Sequence, residues 1–172
     1  DNGSNAGNTV NNTRNLVSNQ GVVASTVSGV GTARSGGAAT EYGTSGQAIM
    51  AFGYTASART NLSNLVSNQG VVASDTTGVG TARNYLAGGR YGVGLGIFGY
   101  GSDSNNVSLT NRVSNQGVIS ADVSGVGTAG FSRSFAEYGS GLGIFIYGNG
   151  SGLGYSNYTN RVSNTGVVAS NG

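Results

Sequence analysis

The chain has 172 residues, enough for one domain with its own core, and a formal charge of +2 from eight arginines and six carboxylates. With no cysteine and no histidine, disulfides, thiolate metal sites and a cysteine nucleophile are excluded, and the commonest general base and metal ligand is missing. The arginines are spread from Arg14 to Arg161 without a run, which speaks against nucleic-acid binding, a function that wants a clustered basic face.

The first eight residues, Asp-Asn-Gly-Ser-Asn-Ala-Gly-Asn, read as a flexible polar lead-in, residues 1–8. The chain opens on Asp1 and is expected to be a processed product or a piece of something longer. No charged segment followed by an apolar stretch opens it, and no run of about 18 apolar residues occurs, so no membrane-spanning helix is expected.

Val-Ser-Asn-Gln-Gly stands at 17–21, 66–70 and 113–117, and returns as Val-Ser-Asn-Thr-Gly at 162–166; the starts are 49, 47 and 49 residues apart. A fixed period of this length marks a repeat architecture. Asn-X-Gly fits a three-residue hairpin loop, a type I turn followed by a bulged residue at positive φ. Gly21, Gly70, Gly117 and Gly166 are therefore structural turn glycines, and the asparagine favours the turn start by bonding its own backbone.

By alternation Val17, Val66, Val113 and Val162 point inward, and the residue before each (Leu16, Leu65, Arg112, Arg161) points the other way and is partly exposed. The outgoing pairs Val22–Val23, Val71–Val72, Val118–Ile119 and Val167–Val168 are apolar on both faces and read as strands buried between layers.

Three further parts complete each unit. Gly-Val-Gly-Thr-Ala occurs at 29–33, 78–82 and 125–129, followed by Arg34 and Arg83; the third copy has Gly130 there and Arg133 three positions on. A segment then ends in Tyr42-Gly43, Tyr91-Gly92 and Tyr138-Gly139. Last is an aromatic strand with the pairs Phe52/Tyr54, Phe98/Tyr100 and Phe145/Tyr147, each two apart and so expected on one face. With 33 glycines, many β-branched residues and no apolar stripe at period 3.6, helix is disfavoured. Short strands in repeated units point to a sandwich, solenoid or propeller, and a unit of about 47–49 residues favours the propeller.

The unit resembles a kelch repeat. Ile97-Phe98-Gly99-Tyr100-Gly101 stands for the double-glycine strand, 62–73 for the hairpin after it, and Thr81-Ala82-Arg83 for the small-residue–arginine start of the next blade; Tyr100 interrupts the double glycine and no tryptophan is present. The wording of the repeat, above all Val-Val-Ala-Ser-Asp-Thr-Thr-Gly-Val-Gly-Thr-Ala-Arg at 71–83, is similar to repeats in tailed-bacteriophage structural proteins, over about residues 12–170. The resemblance implies an all-β, kelch-like propeller-type domain, spanning 9–172; counted from each Thr-Ala element, the repeats run at about 32–74, 81–121 and 128–170, after a half repeat at 9–25. Three and a half blades are too few for a usual ring, so further chain or oligomerisation is expected to close it, with an open stack of repeats, its strand edges covered by neighbours, as a third option.

Candidate sites are few. A glycosidase needs two carboxylates flanking one bond; Glu41 and Glu137 share a repeat position, but Arg90 holds it in the middle copy and the blades should keep the two apart. Asp75 and Asp122 follow the outgoing hairpin strand and read as turn caps rather than a cation site, which wants six or more oxygens. Gly-Val-Gly and Gly-Leu-Gly lack the spacing of phosphate loops. Tyr42, Tyr91 and Tyr138 are candidate glycan platforms, with packing as the alternative.

The expected function is a non-enzymatic virion structural or host-interaction module, without cofactor or metal, in a tail fibre, spike or capsid appendage. Its expected partners are other virion subunits, further copies in a homo-oligomer and a host surface glycan, with no nucleic acid and no membrane insertion. The alternative is an extracellular filament subunit or adhesin joined through strand edges, and a remoter one is a glycan-degrading enzyme.

Overall fold

The computed structural model describes residues 10–150 and 154–172; the polar lead-in lies outside them. These residues are all-β, with no helix. The strands are β1 (Ala38–Tyr42), β2 (Gln47–Ala51), β3 (Ser63–Val66), β4 (Ala87–Tyr91), β5 (Leu95–Gly99), β6 (Thr110–Val113), β7 (Gly130–Phe131), β8 (Ser134–Tyr138), β9 (Leu142–Ile146), β10 (Asn149–Gly150) and β11 (Thr159–Val162). They form three small antiparallel sheets, β1-β2-β3, β4-β5-β6 and β8-β9-β11, plus the two-stranded β7-β10 pair. We call the three sheets layers 1, 2 and 3.

Every layer repeats one register. Ala38 pairs with Ala51, Ala87 with Gly99 and Ser134 with Ile146. The closing strand of each unit is reduced to bridges, such as Val66 to Val72 and Ser63 to Thr76. The layers stack in a row: β1 lies against β4 and β5, and β4 against β8 and β9. Backbone bonds stitch them together, Gly43 N–H to the Gly94 carbonyl (2.9 Å) and Gly92 N–H to that of Gly141 (2.8 Å). Among the described residues the row does not close into a barrel or ring.

Two core clusters fill the gaps between layers. Tyr42, Ile49, Phe52, Leu86, Phe98 and Val113 join layers 1 and 2. Tyr91, Ile97, Tyr100, Phe145 and Val162 join layers 2 and 3. Adjacent residues thus serve opposite gaps: Ile97 faces forward to layer 3 and Phe98 back to layer 1.

This overturns the expectation that Phe98 and Tyr100 share a face. The repeat positions are also displaced: the glycine after the strand (Gly53, Gly101, Gly148) shows that Phe52, Tyr100 and Tyr147 correspond, and that Met50, Phe98 and Phe145 do. Phe52, Tyr100 and Tyr147 have φ of 62°, 63° and 54°. A left-handed residue breaks the alternation of an extended strand, so Tyr100 turns to the face of Ile97.

The hairpin loops carry a bond from Gly21, Gly70, Gly117 and Gly166 N–H to the serine three residues earlier, and these glycines have φ of 77°, 75°, 77° and 77°. Two valine expectations need correction. Val113 and Val162 are buried, but Val17 is 64% exposed. The half repeat has no β1- or β2-like partner among the described residues, so none of them covers Val17. Nor are the outgoing pairs buried on both faces: Val22, Val71, Val118 and Val167 are all exposed, because a bridge-only edge has one covered side.

Gly166→Ala is expected to cost more than Gly21→Ala. Both pay the strain of positive φ, about 1 kcal/mol. A Cβ at Gly21 meets nothing within 4 Å, whereas at Gly166 it comes 2.6 Å from the Tyr91 hydroxyl, inside the joint between layers. That collision adds roughly 1–2 kcal/mol. Urea denaturation of the two variants measures the difference, and equal losses would contradict the interlayer contact.

Candidate functional site

The polar side chains that recur with the repeat meet at the layer joints. Each joint is built from the Thr-Ala-Arg segment and from an asparagine two residues before the repeated valine. In layer 2, Arg83 donates to the Thr81 carbonyl (3.2 Å), to Asn111 Oδ1 (2.6 Å) and from Nε to the Tyr100 carbonyl (2.8 Å). Asn111 Nδ2 donates to the Ser120 carbonyl and to Asp122 Oδ1 (2.9 Å). Asp122 Oδ2 accepts from the amide and hydroxyl of Thr81, at 2.9 and 2.7 Å. Arg83 also lies 3.7 Å from Asp122 and 4.3 Å over the Phe52 ring of layer 1.

Layer 1 repeats the arrangement with Arg34, Asn64, Asp75 and Thr32. Layer 3 repeats it with Arg133, Asn160, Asn171 and Thr128. Arg133 stands at the backbone position of Leu86, since Phe131 bridges Asn149 as Asn84 bridges Ser102. Its guanidinium nevertheless reaches the Thr128 carbonyl (2.9 Å), Asn160 Oδ1 (3.2 Å) and the face of Tyr100 (4.0 Å). The chain keeps the cation at the joint although the residue carrying it has moved three places.

Burial lowers Arg83 to about 10, with Asp122 and Asp103 opposing, so it stays charged at neutral pH. Burial raises Tyr100 to about 12, with Arg133 opposing, so it stays a neutral phenol. For Asp122, burial pushes the carboxyl up, but the Thr81 hydroxyl, Asn111, the Thr81 amide and Arg83 together pull it below its ordinary value. Asp75 behaves alike with Thr32, Asn64 and Arg34. Both aspartates therefore tie each closing hairpin to the segment that opened its layer.

A folded pKa below the unfolded one gives stability that is complete above the ordinary value of 3.8 and is lost as pH falls through the folded value. The thermal midpoint is expected to drop in that acid range. In the Asp75→Asn/Asp122→Asn double variant the drop shrinks. The variant folds, because Asn171 already accepts the Thr128 amide at that position. Melting curves at stepped pH test this, and an undiminished acid drop in the variant would refute it.

The other described carboxylates are engaged too. Glu41 of layer 1 and Glu137 of layer 3 have Arg90 of layer 2 between them, 2.8 Å from Glu41 and 3.5 Å from Glu137, on the exposed side of the stack. The pair forms a charge ladder, not two carboxylates free to flank a bond. Asp103 accepts the Asn105 amide. Among the described residues no group of three or more His, Cys, Asp or Glu can hold a metal ion.

The three tyrosines part company. Tyr42 and Tyr91 are buried against the turn glycines Gly117 and Gly166 of the next layer, so neither offers a ring to a sugar. Tyr138, with no following layer among the described residues, is 40% exposed. Sequence reasoning missed the joint asparagines Asn15, Asn64, Asn111 and Asn160. Their signal is a polar residue two before the inward valine, on the same strand face, in all four copies.

No helix of the described residues is long and apolar enough to cross a membrane. No family model matches the chain, and no curated protein matches it.

Proposed function

We propose that this chain is a non-enzymatic structural and host-interaction module of a virion appendage, such as a tail fibre, spike or capsid appendage, built on kelch-like layers. In this reading further repeats or other subunits complete the ring. The observation that carries it is the commitment of the chemistry-bearing side chains to the fold. Asp75 and Asp122 lock hairpins to layers, Glu41 and Glu137 flank Arg90, and two of the three joint arginines, Arg83 and Arg133, are held against aromatic rings. Among the described residues these contacts leave no free pair of carboxylates for bond cleavage. The virion part of the reading is supported by the likeness of the repeat phrases to tailed-phage structural repeats. A host glycan would meet Tyr138 of a layer 3 that no further layer covers, rather than Tyr42 or Tyr91.

The exposed Val17, Val22 and Val23 favour a second reading, a filament subunit or adhesin joined through strand edges. Gold-labelled antibodies against the chain, applied to virions and to cells from the same source, separate the two. Label on particle appendages supports the first, label on cell-surface filaments the second, and label on neither overturns both.

A further inference from the structure

Within the chain, one aromatic ring of each layer is held by two side chains of the next. Phe52 has the Arg83 guanidinium 4.3 Å over its ring and Phe98 edge-on at 5.6 Å. Tyr100 has Arg133 at 4.0 Å and Phe145 at 5.0 Å. Among the described residues the pattern is unfinished on layer 1 and on layer 3, and the two remainders are complementary. Tyr147, the counterpart of Phe52 and Tyr100, is 60% exposed. Arg34 and Met50, the counterparts of Arg83 and Phe98, line a cavity of about 360 Å³ beside β1 and β2.

The volumes agree as well. The residue before the held ring is small where a phenylalanine follows: Ala51 before Phe98, and Gly99, whose Cβ would come 2.5 Å from the Phe145 ring. In layer 3 that residue is the larger Ile146, and the slimmer Met50 is what a docked layer 1 presents. Among the described residues no turn glycine lies against Tyr138, and Gly70 is the turn glycine of layer 1.

We propose that a second copy of this chain docks head to tail, with layer 3 of one on layer 1 of the next and Tyr147 entering the cavity against Arg34 and Met50. This rests on the reading of the chain as an assembling structural module and names its partner. The half-repeat hairpin at 14–27 sits on layer 1 as 63–76 sits on layer 2: Asn12 bonds the Gly31 carbonyl as Asn61 bonds that of Gly80. Docking therefore exchanges it for the incoming hairpin at 159–171. Its exposed valines make it the weaker holder of that place. At the rim, Glu137 comes beside the next copy's Glu41, a like-charged pair that limits affinity without blocking the contact.

Sedimentation velocity of the full chain over a wide concentration range is the test. Mass is expected to rise with concentration, ending at a closed dimer if the ring shuts and growing further if it does not; both outcomes support the contact. Tyr147→Gly suits the positive φ and keeps the fold, and it is expected to weaken association about tenfold or more. Met50→Asp does the same from the other end. Each blocked copy retains one working end, so an equimolar mixture of the two variants forms dimers that neither forms alone. A monomer at all concentrations, association untouched by both variants, or a mixture that stays monomeric overturns the proposal. A monomeric chain whose antibody still labels virion appendages sinks this contact alone and leaves the proposed function standing.

Discussion

Arg83→Ala is expected to lower stability by about 3–5 kcal/mol, the usual loss when one member of a buried charged network is removed. The side chain is fully buried and serves three acceptors while covering the Phe52 ring. Its removal strands Asn111 Oδ1 and the Tyr100 carbonyl, leaves Asp122 without its cation and opens a void between layers 1 and 2. Lysine is a poor substitute, because a single ammonium cannot reach three acceptors in one plane. Arg34→Ala makes the control. It breaks the same bonds to Asn64 and Thr32, but Arg34 covers no aromatic ring among the described residues. Its loss should be about 1–2 kcal/mol. In urea, Arg83→Ala should also split the transition, since a stack of layers depends on each nearest-neighbour joint. Equal losses at the two positions would sink the account of the joint.

What was legible in the sequence is whatever the backbone decides locally. The period, the all-β class and the left-handed turn glycines all follow from residue types at fixed spacing. What was not legible depends on contact between layers or on a local break in alternation. Face assignment by parity works for Val113 and Val162 and fails at Tyr100, because parity presumes an extended backbone and Tyr100 has φ of 63°. Arg133 escaped alignment because the joint needs a guanidinium at a point in space, and a long side chain can reach it from a different backbone position. The glycan reading of Tyr42 and Tyr91 failed because each ring is covered by a turn 75 residues further on (Tyr42 by Gly117, Tyr91 by Gly166), a pairing that no local pattern announces.

Gly99→Val is expected to cost roughly 3 kcal/mol, and the loss should fall at the joint between layers 2 and 3. Valine is at home in a strand, and the equivalent position in layer 3 is already the β-branched Ile146. The strand itself therefore does not object. The collision is with Phe145, whose ring is fully buried and whose tip would lie 2.5 Å from even the first carbon of the new side chain. Phe145 cannot retreat easily, because Tyr100 and Phe135 hold it edge-on at 5.0 and 4.8 Å. Shortening the ring should relieve it: Phe145→Leu alone loses about 1–2 kcal/mol through its cavity, but in the Gly99→Val background it should restore part of the stability. A double-mutant cycle by urea denaturation reads this as a favourable coupling of about 1–2 kcal/mol. Additive losses would mean that the glycine is there for the strand and not for the neighbouring layer. The coupling, if found, would establish that bare glycine surfaces on one layer are the sockets into which the next layer's phenylalanines fit.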